Sequence, residues 1–176
     1  VDGYTDLARL EIGMLGAQFW SVYIPGEYAD SGYARVQLEQ IDIARQVIAR
    51  YPESLRLALS TSDIRRDFRE HVLGSLLGLE GGHAIEHSLG ALRAYYDLGV
   101  RWMLMAYNRN NRVGGGCLGD DGGLTAFGRS IVAEMNRAGM VPCCSHTGKR
   151  TVLDVIAASS TPVIVSHSNP RALWDH

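Results

Sequence analysis

The chain has 176 residues, 46% of them hydrophobic and 20% charged, with a formal net charge of −2. This is the balance of an ordinary soluble domain, and it lacks the basic surface that a nucleic-acid partner requires. Its apolar stretches are strand-sized rather than the roughly 20 residues needed to cross a bilayer, and the N-terminus lacks the basic, apolar, small-residue order of an export signal. Neither a membrane association nor secretion is expected.

The three cysteines, Cys117, Cys143 and Cys144, are odd in number and two of them are adjacent. A disulfide framework is therefore not expected, because neighbouring cysteines bridge only under strain. A reducing, cytoplasmic compartment is the expectation. The first residue is Val1 rather than Met, so the chain is expected to have been cut or trimmed at its start. The sixteen arginines beside the single Lys149 are scattered among acids and form no binding patch.

Strand-like and helix-like segments alternate with no linker or repeat, which reads as a single domain over residues 1–176. Residues 14–24 are rich in aromatic and β-branched side chains and read as a strand ending at Pro25-Gly26. Residues 33–51 come next as a helix with Ile41, Ala44, Val47, Ile48 and Tyr51 on one face, stopped by Pro52. Residues 55–59 suit a short strand, and Thr61-Ser62-Asp63 offers capping oxygens to a short charged helix that reaches about Glu70. Residues 72–79 are apolar on both faces, as in a strand covered on both sides.

The design then repeats. Leu89, Leu92 and Tyr96 mark a helix closing at Gly99, and residues 100–105 read as a strand. A glycine-rich polar loop over residues 107–124 is longer than a plain connection needs, which favours a functional role. A helix from Thr125 to Gly139 carries Phe127, Ile131, Met135 and Ala138 on one face. Residues 140–144 form a strand, Thr151 and Asp154 resemble a capping box for the next helix, and residues 163–166 form the last strand. Trp20 and Trp102 lie in strands and are expected to fill the core, whereas Asp120-Asp121, between glycines, reads as a solvated loop. These six strand candidates and their helices predict an α/β fold with a parallel sheet. The open, doubly wound alternative would place a glycine-rich nucleotide loop after its first strand. The only match, Gly114, Gly116 and Gly119, lies inside a loop with no strand directly before it. The (β/α)8 TIM-barrel type is therefore preferred, incomplete in this chain.

Glu80, His146 and His167 each succeed a short apolar run and would arrive at the same end of parallel strands, where a barrel enzyme keeps its ligands. A carboxylate can bridge two metal ions. The two histidines lie about one βα unit apart, and each comes directly after a serine, Ser145 or Ser166, able to fix its tautomer. These features point to a metal-dependent hydrolase. Alternatively, the three residues are ordinary polar groups at strand ends.

The segments Gly16-Ala17-Gln18-Phe19-Trp20-Ser21-Val22-Tyr23, Gly78-Leu79-Glu80-Gly81-Gly82-His83, Tyr107-Asn108, Cys144-Ser145-His146-Thr147-Gly148 and Pro162-Val163-Ile164-Val165-Ser166-His167-Ser168-Asn169 resemble, in this order and spacing, the renal or membrane dipeptidase family of zinc peptidases, on its bacterial-type branch. The resemblance runs over nearly the whole chain. It implies zinc-dependent hydrolysis of dipeptides by a metal-activated water, with zinc as a binuclear cofactor and small dipeptides as the substrates. It further implies Glu80 as the bridging and catalytic carboxylate, His146 and His167 as ligands of one zinc and Tyr107 at a substrate-facing position; His83 is expected either to support the ligands or bind substrate, or only to pack or cap.

The His-x-Asp pair that holds the other zinc in the family is absent: the nearest candidate, Asp2-Gly3-Tyr4-Thr5-Asp6, has Tyr4 where a histidine is required and aligns better with a later Thr-Asp-Leu segment, so the first strand is expected to be missing rather than mutated. The stretch ending at Trp174-Asp175-His176 stops before the family's substrate-binding arginine and proton-transfer aspartate. A closed barrel takes about 250 residues, so the chain is expected to be a piece of one, with unpaired edges that favour borrowed strands or a homo-oligomer. Its three ligands would hold one zinc rather than two. Two other functions are compatible with these residues: a non-catalytic or mononuclear metal-binding remnant, and a cysteine hydrolase using Cys144 with His146.

Overall fold

The computed structural model describes residues 3–26, 32–170 and 172–173. Asp2 and the segment 174–176 lie outside the described residues. Helix α1 (Leu7–Ile12) precedes strand β1 (Ala17–Val22), and helix α2 (Tyr33–Arg50) leads to the short strand β2 (Leu55–Leu57). Helix α3 (Thr61–Arg69) and strand β3 (Leu73–Leu79) come next, then a 3₁₀ turn at Gly82–Ile85 and helix α4 (Leu89–Asp97). Strand β4 (Val100–Leu104), helix α5 (Ala126–Ala138), strand β5 (Val141–Cys143) and helix α6 (Lys149–Ala158) complete the order.

Local chemistry sets most helix starts. Ser88 and Thr125 accept from the backbone N–H of Ala91 and Gly128 at 3.1 and 2.9 Å, each satisfying a donor with no partner inside its helix. At α3 the cap is Ser60, which accepts from Asp63 N–H at 3.2 Å; the expected Thr61-Ser62-Asp63 lies inside the helix. The capping box expected at Thr151 and Asp154 is also corrected. Helix α6 begins earlier, behind Gly148, so Thr151 falls in its first turn and Asp154 accepts from Leu124 N–H at 2.9 Å.

All strand pairs are parallel. Strand β3 is the centre: β1 covers one edge along its length, while β2 and β4 share the other edge in succession. Strand β5 then lies beside β4, and Ile164 adds a single parallel bridge to Cys143. The strand expected at residues 163–166 is thus reduced to that bridge, since only one neighbour reaches it among the described residues. The succession β1, β3, β4, β5 runs in one direction without the reversal that defines a doubly wound sheet. It forms an open arc of a (β/α)8-type arrangement.

The core lies between this sheet and the helices, with Leu77, Leu79, Tyr95, Met103, Ile131 and Met135 almost fully buried. Strand β3 is buried on both faces, as its apolar run predicts. Trp102 is buried as expected, but Trp20 is only partly so. The face predicted for α2 holds at Ile41 and Ile48, whereas Val47 and Tyr51 are partly exposed. Those two line, with Phe19 and Trp20, a groove of about 480 Å³ beside β1. Among the described residues no helix is long and apolar enough to cross a membrane.

Candidate metal centre

Parallel strands bring the residues beyond their carboxyl ends to one rim. Glu80 succeeds β3, Tyr107 and Asn108 lie just beyond β4, His146 beyond β5, and His167 beyond the Ile164 bridge. At that rim the two histidines meet, His146 Nε2 lying 2.6 Å from His167 Nε2. Tyr107 stacks on the His146 ring with centroids 4.3 Å apart, and Tyr23, at the end of β1, lies 4.8 Å from Tyr107.

Each imidazole is held from behind by a side-chain oxygen. His146 Nδ1 lies 2.8 Å from Asn108 Oδ1, and His167 Nδ1 lies 3.0 Å from Ser166 Oγ. An amide oxygen only accepts. His146 Nδ1 therefore carries the proton and its Nε2 presents a lone pair. His167 must then donate its Nε2 proton across the 2.6 Å contact and accept at Nδ1 from the Ser166 hydroxyl. That hydroxyl can also accept a hydrogen bond, so His167 can move its proton to Nδ1 and present a lone pair at Nε2 once its contact with His146 opens. The expected serine support is thus present at His167 and absent at His146. Ser145 Oγ instead accepts from His167 N–H at 3.0 Å and meets Ser166 Oγ at 3.2 Å. His146 has a left-handed backbone, with φ of 57°, and its ring reaches Asn108. Burial first, and then the neighbouring charge of His167, push the His146 pKa down, while Glu80 opposes this more weakly. The neutral, lone-pair-bearing form is favoured.

Glu80 therefore lies near enough to act on His146 through its charge. Even so, among the described residues no three His, Cys, Asp or Glu side chains gather as one metal-binding group. Two of the three predicted ligands are brought together, and the third, Glu80, reaches His146 only through its charge. These donors fit a zinc-type ion: two imidazole nitrogens converge with a carboxylate in electrostatic reach of one of them, whereas hard cations favour all-oxygen sites. His83 Nε2 lies 3.0 Å from Ile24 O, and its ring packs edge-on against Tyr33. It supports the turn after Glu80. Gly81 there has φ of 134°, and a Cβ on it would sit 2.3 Å from the His83 ring.

The long loop clamps this rim. Cys117 N–H donates to His146 O at 2.8 Å, Leu118 N–H to Asn108 O at 2.7 Å, and Gly148 N–H to Gly115 O at 2.9 Å. The glycine run expected not to bind phosphate has a packing reason: a Cβ on Gly116 would lie 2.3 Å from the Asn108 carbonyl. Asp121, expected in a solvated loop, instead caps α6, accepting from Arg150 N–H at 2.6 Å and from the Thr151 hydroxyl at 2.6 Å. Asn108 stands in the sequence only as half of the Tyr107-Asn108 motif, and its hold on His146 is not foreseen there. The one signal for it is an asparagine, tolerant of the left-handed backbone it adopts with φ of 57°, shortly after an apolar strand.

The cysteine-hydrolase alternative is not supported. Cys144 is buried, and burial first, then the charge of Cys143, push its thiol up to about 11, which disfavours the nucleophilic thiolate.

Comparison with known proteins places the chain. A family model described as "Membrane dipeptidase (Peptidase family M19)" matches residues 1–176. Dipeptidase 3 of Rattus norvegicus is 40% identical over 181 residues, covering 99% of this chain and 36% of that protein. The chain thus spans about a third of the length of such curated relatives. An amidohydrolase from Pseudomonas aeruginosa superposes with a TM-score of 0.89 at 34% identity, over 97% of this chain and 50% of that one. A metallo peptidase from Rhodobacter sphaeroides, liganded with a phosphinate mimic of the dipeptide L-Ala-D-Ala, shares the fold with a TM-score of 0.87 at 24% identity, over 97% and 57%. With its two converging imidazoles set at the carboxyl rim of a parallel arc, the chain belongs to the membrane dipeptidase family.

Proposed function

We propose that this chain carries part of the active site of a zinc-dependent dipeptidase. The observation that carries the reading is the 2.6 Å meeting of His146 Nε2 and His167 Nε2, each ring anchored at Nδ1 by a side-chain oxygen. His146 and His167 would hold the ion, with Glu80 turning its carboxylate in as the third donor and catalytic carboxylate. A bound zinc supplies Lewis-acid polarisation of a peptide carbonyl and lowers the pKa of water toward neutrality. The Tyr107 ring, stacked on His146, forms one wall against a dipeptide, and His83 supports the Glu80 turn from behind. Small dipeptides are the substrates in this reading.

A second reading, a non-catalytic or mononuclear metal-binding remnant, is favoured by one observation: the predicted ligands in direct contact are the pair His146 and His167. Metal analysis of the purified chain, with hydrolysis of a panel of dipeptides before and after chelation, separates the two. Bound zinc with chelator-sensitive hydrolysis supports the dipeptidase. Zinc without hydrolysis supports the remnant, and a chain that retains no zinc refutes both.

A further inference from the structure

We infer that Asn108 is a positioning residue that locks His146 in its Nδ1-protonated tautomer and so makes Nε2 a permanent lone-pair donor. This rests on the reading of His146 as a metal ligand, and it assigns the control of that ligand to the glycine-rich loop.

Three observations carry it. First, His146 Nδ1 lies 2.8 Å from Asn108 Oδ1, an atom that can only accept. Second, the Cys117 sulfur lies 3.5 Å from the same Oδ1, so a second donor selects the same orientation of the amide. Third, the backbone on both sides of the contact is fixed. Asn108 O accepts from Leu118 N–H, His146 O accepts from Cys117 N–H, and Gly116 packs so closely on the Asn108 carbonyl that no larger residue fits there. The two imidazoles are therefore unequal. The Nδ1 partner of His167 is a hydroxyl, which donates or accepts and so permits either tautomer once the contact with His146 opens; the Nδ1 partner of His146 allows one tautomer only.

The test reads the tautomer directly, by long-range proton–nitrogen NMR of the histidine rings in the metal-free chain, and then the zinc dissociation constant by competition with a chelating dye. The unaltered chain is expected to show His146 protonated at Nδ1. Asn108→Gly keeps the left-handed backbone and removes the acceptor; it is expected to shift His146 toward the Nε2-protonated form and weaken zinc binding about 10- to 100-fold, as loss of a hydrogen-bond partner behind a ligand does. Asn108→Asp, which restores an acceptor oxygen, is expected to restore the Nδ1-protonated form. Nε2 protonation of His146 in the unaltered chain overturns the inference. So does an Asn108→Gly chain that keeps its tautomer, or one that changes tautomer with no loss of zinc affinity. If the unaltered chain binds no zinc, the metal reading fails, while the tautomer measurement still decides whether Asn108 sets the ring.

Discussion

Asp121 ties the glycine-rich loop to the start of α6, and its removal tests whether that tie carries stability. Its carboxylate accepts from Arg150 N–H at 2.6 Å, from Thr151 N–H at 3.2 Å, from the Thr151 hydroxyl at 2.6 Å and from Gly123 N–H at 3.1 Å. Burial works to raise the carboxyl pKa, but the Thr151 hydroxyl and the backbone donors outweigh it and hold the group below its ordinary value. A hydrogen bond to a charged group contributes about 1.5–3 kcal/mol and an N-cap about 1 kcal/mol, and these overlap here because the same donors are counted in both. Asp121→Ala should therefore cost about 2–3 kcal/mol, or roughly 6–9 °C in Tm for a domain of this size. Asp121→Asn, which keeps one acceptor oxygen and loses the charge, should cost about half as much. Since the folded-state pKa is depressed, the contribution is present above the unfolded value and disappears as the pH falls through the folded one. Urea denaturation monitored by circular dichroism measures the loss at neutral pH and in acid. A change within about 0.5 kcal/mol, the size of an ordinary surface substitution, would refute the reasoning.

Gly78 faces Trp102 across β3 and β4, and a Cβ there would lie 1.8 Å from the indole. Gly78→Ala should destabilise by about 3 kcal/mol or more, and adding Trp102→Leu should recover part of the loss; an unaltered urea midpoint for the single variant contradicts this packing. Glu134 is held down to about 2 by hydrogen bonds first from Arg137 and then from Arg93. Its contribution should be complete above the ordinary glutamate value and vanish as the pH approaches about 2. Denaturation curves of Glu134→Gln and the unaltered chain should accordingly converge in acid, and a gap independent of pH counts against the ion pairs. Cys117 is exposed whereas Cys143 and Cys144 are buried, so a thiol reagent should label Cys117 rapidly and the others only on unfolding. Fast labelling of Cys144 in the folded chain would reopen a thiol chemistry at that position.

How much of this molecule could be read from its residues depends on the range of the forces involved. The helices α2, α4 and α5 and the strand β3 were legible because apolar spacing, serine or threonine caps and closing glycines act within a few residues. The short helix α1 was missed, since its start depends on a lone cap, Asp6 accepting from Arg9 N–H at 2.9 Å, and it buries no residue. Glu80, His146 and His167 could be picked out as strand-end residues, because parallel strands place successive carboxyl ends on one rim, whereas Tyr107 was singled out only by the family resemblance. The family resemblance implied that His146 and His167 share one site, but the partner each ring takes at Nδ1 could not be read. The 2.6 Å imidazole contact, the support of His146 by Asn108 across 38 positions and the capping of α6 by Asp121 from 29 positions away join segments distant along the chain. Sequence by itself determined the alternation of elements and the choice of candidate ligands. Only the tertiary structure decided their partners, because a hydrogen bond is chosen by proximity and angle in space, and neither is encoded in the order of residues on either side.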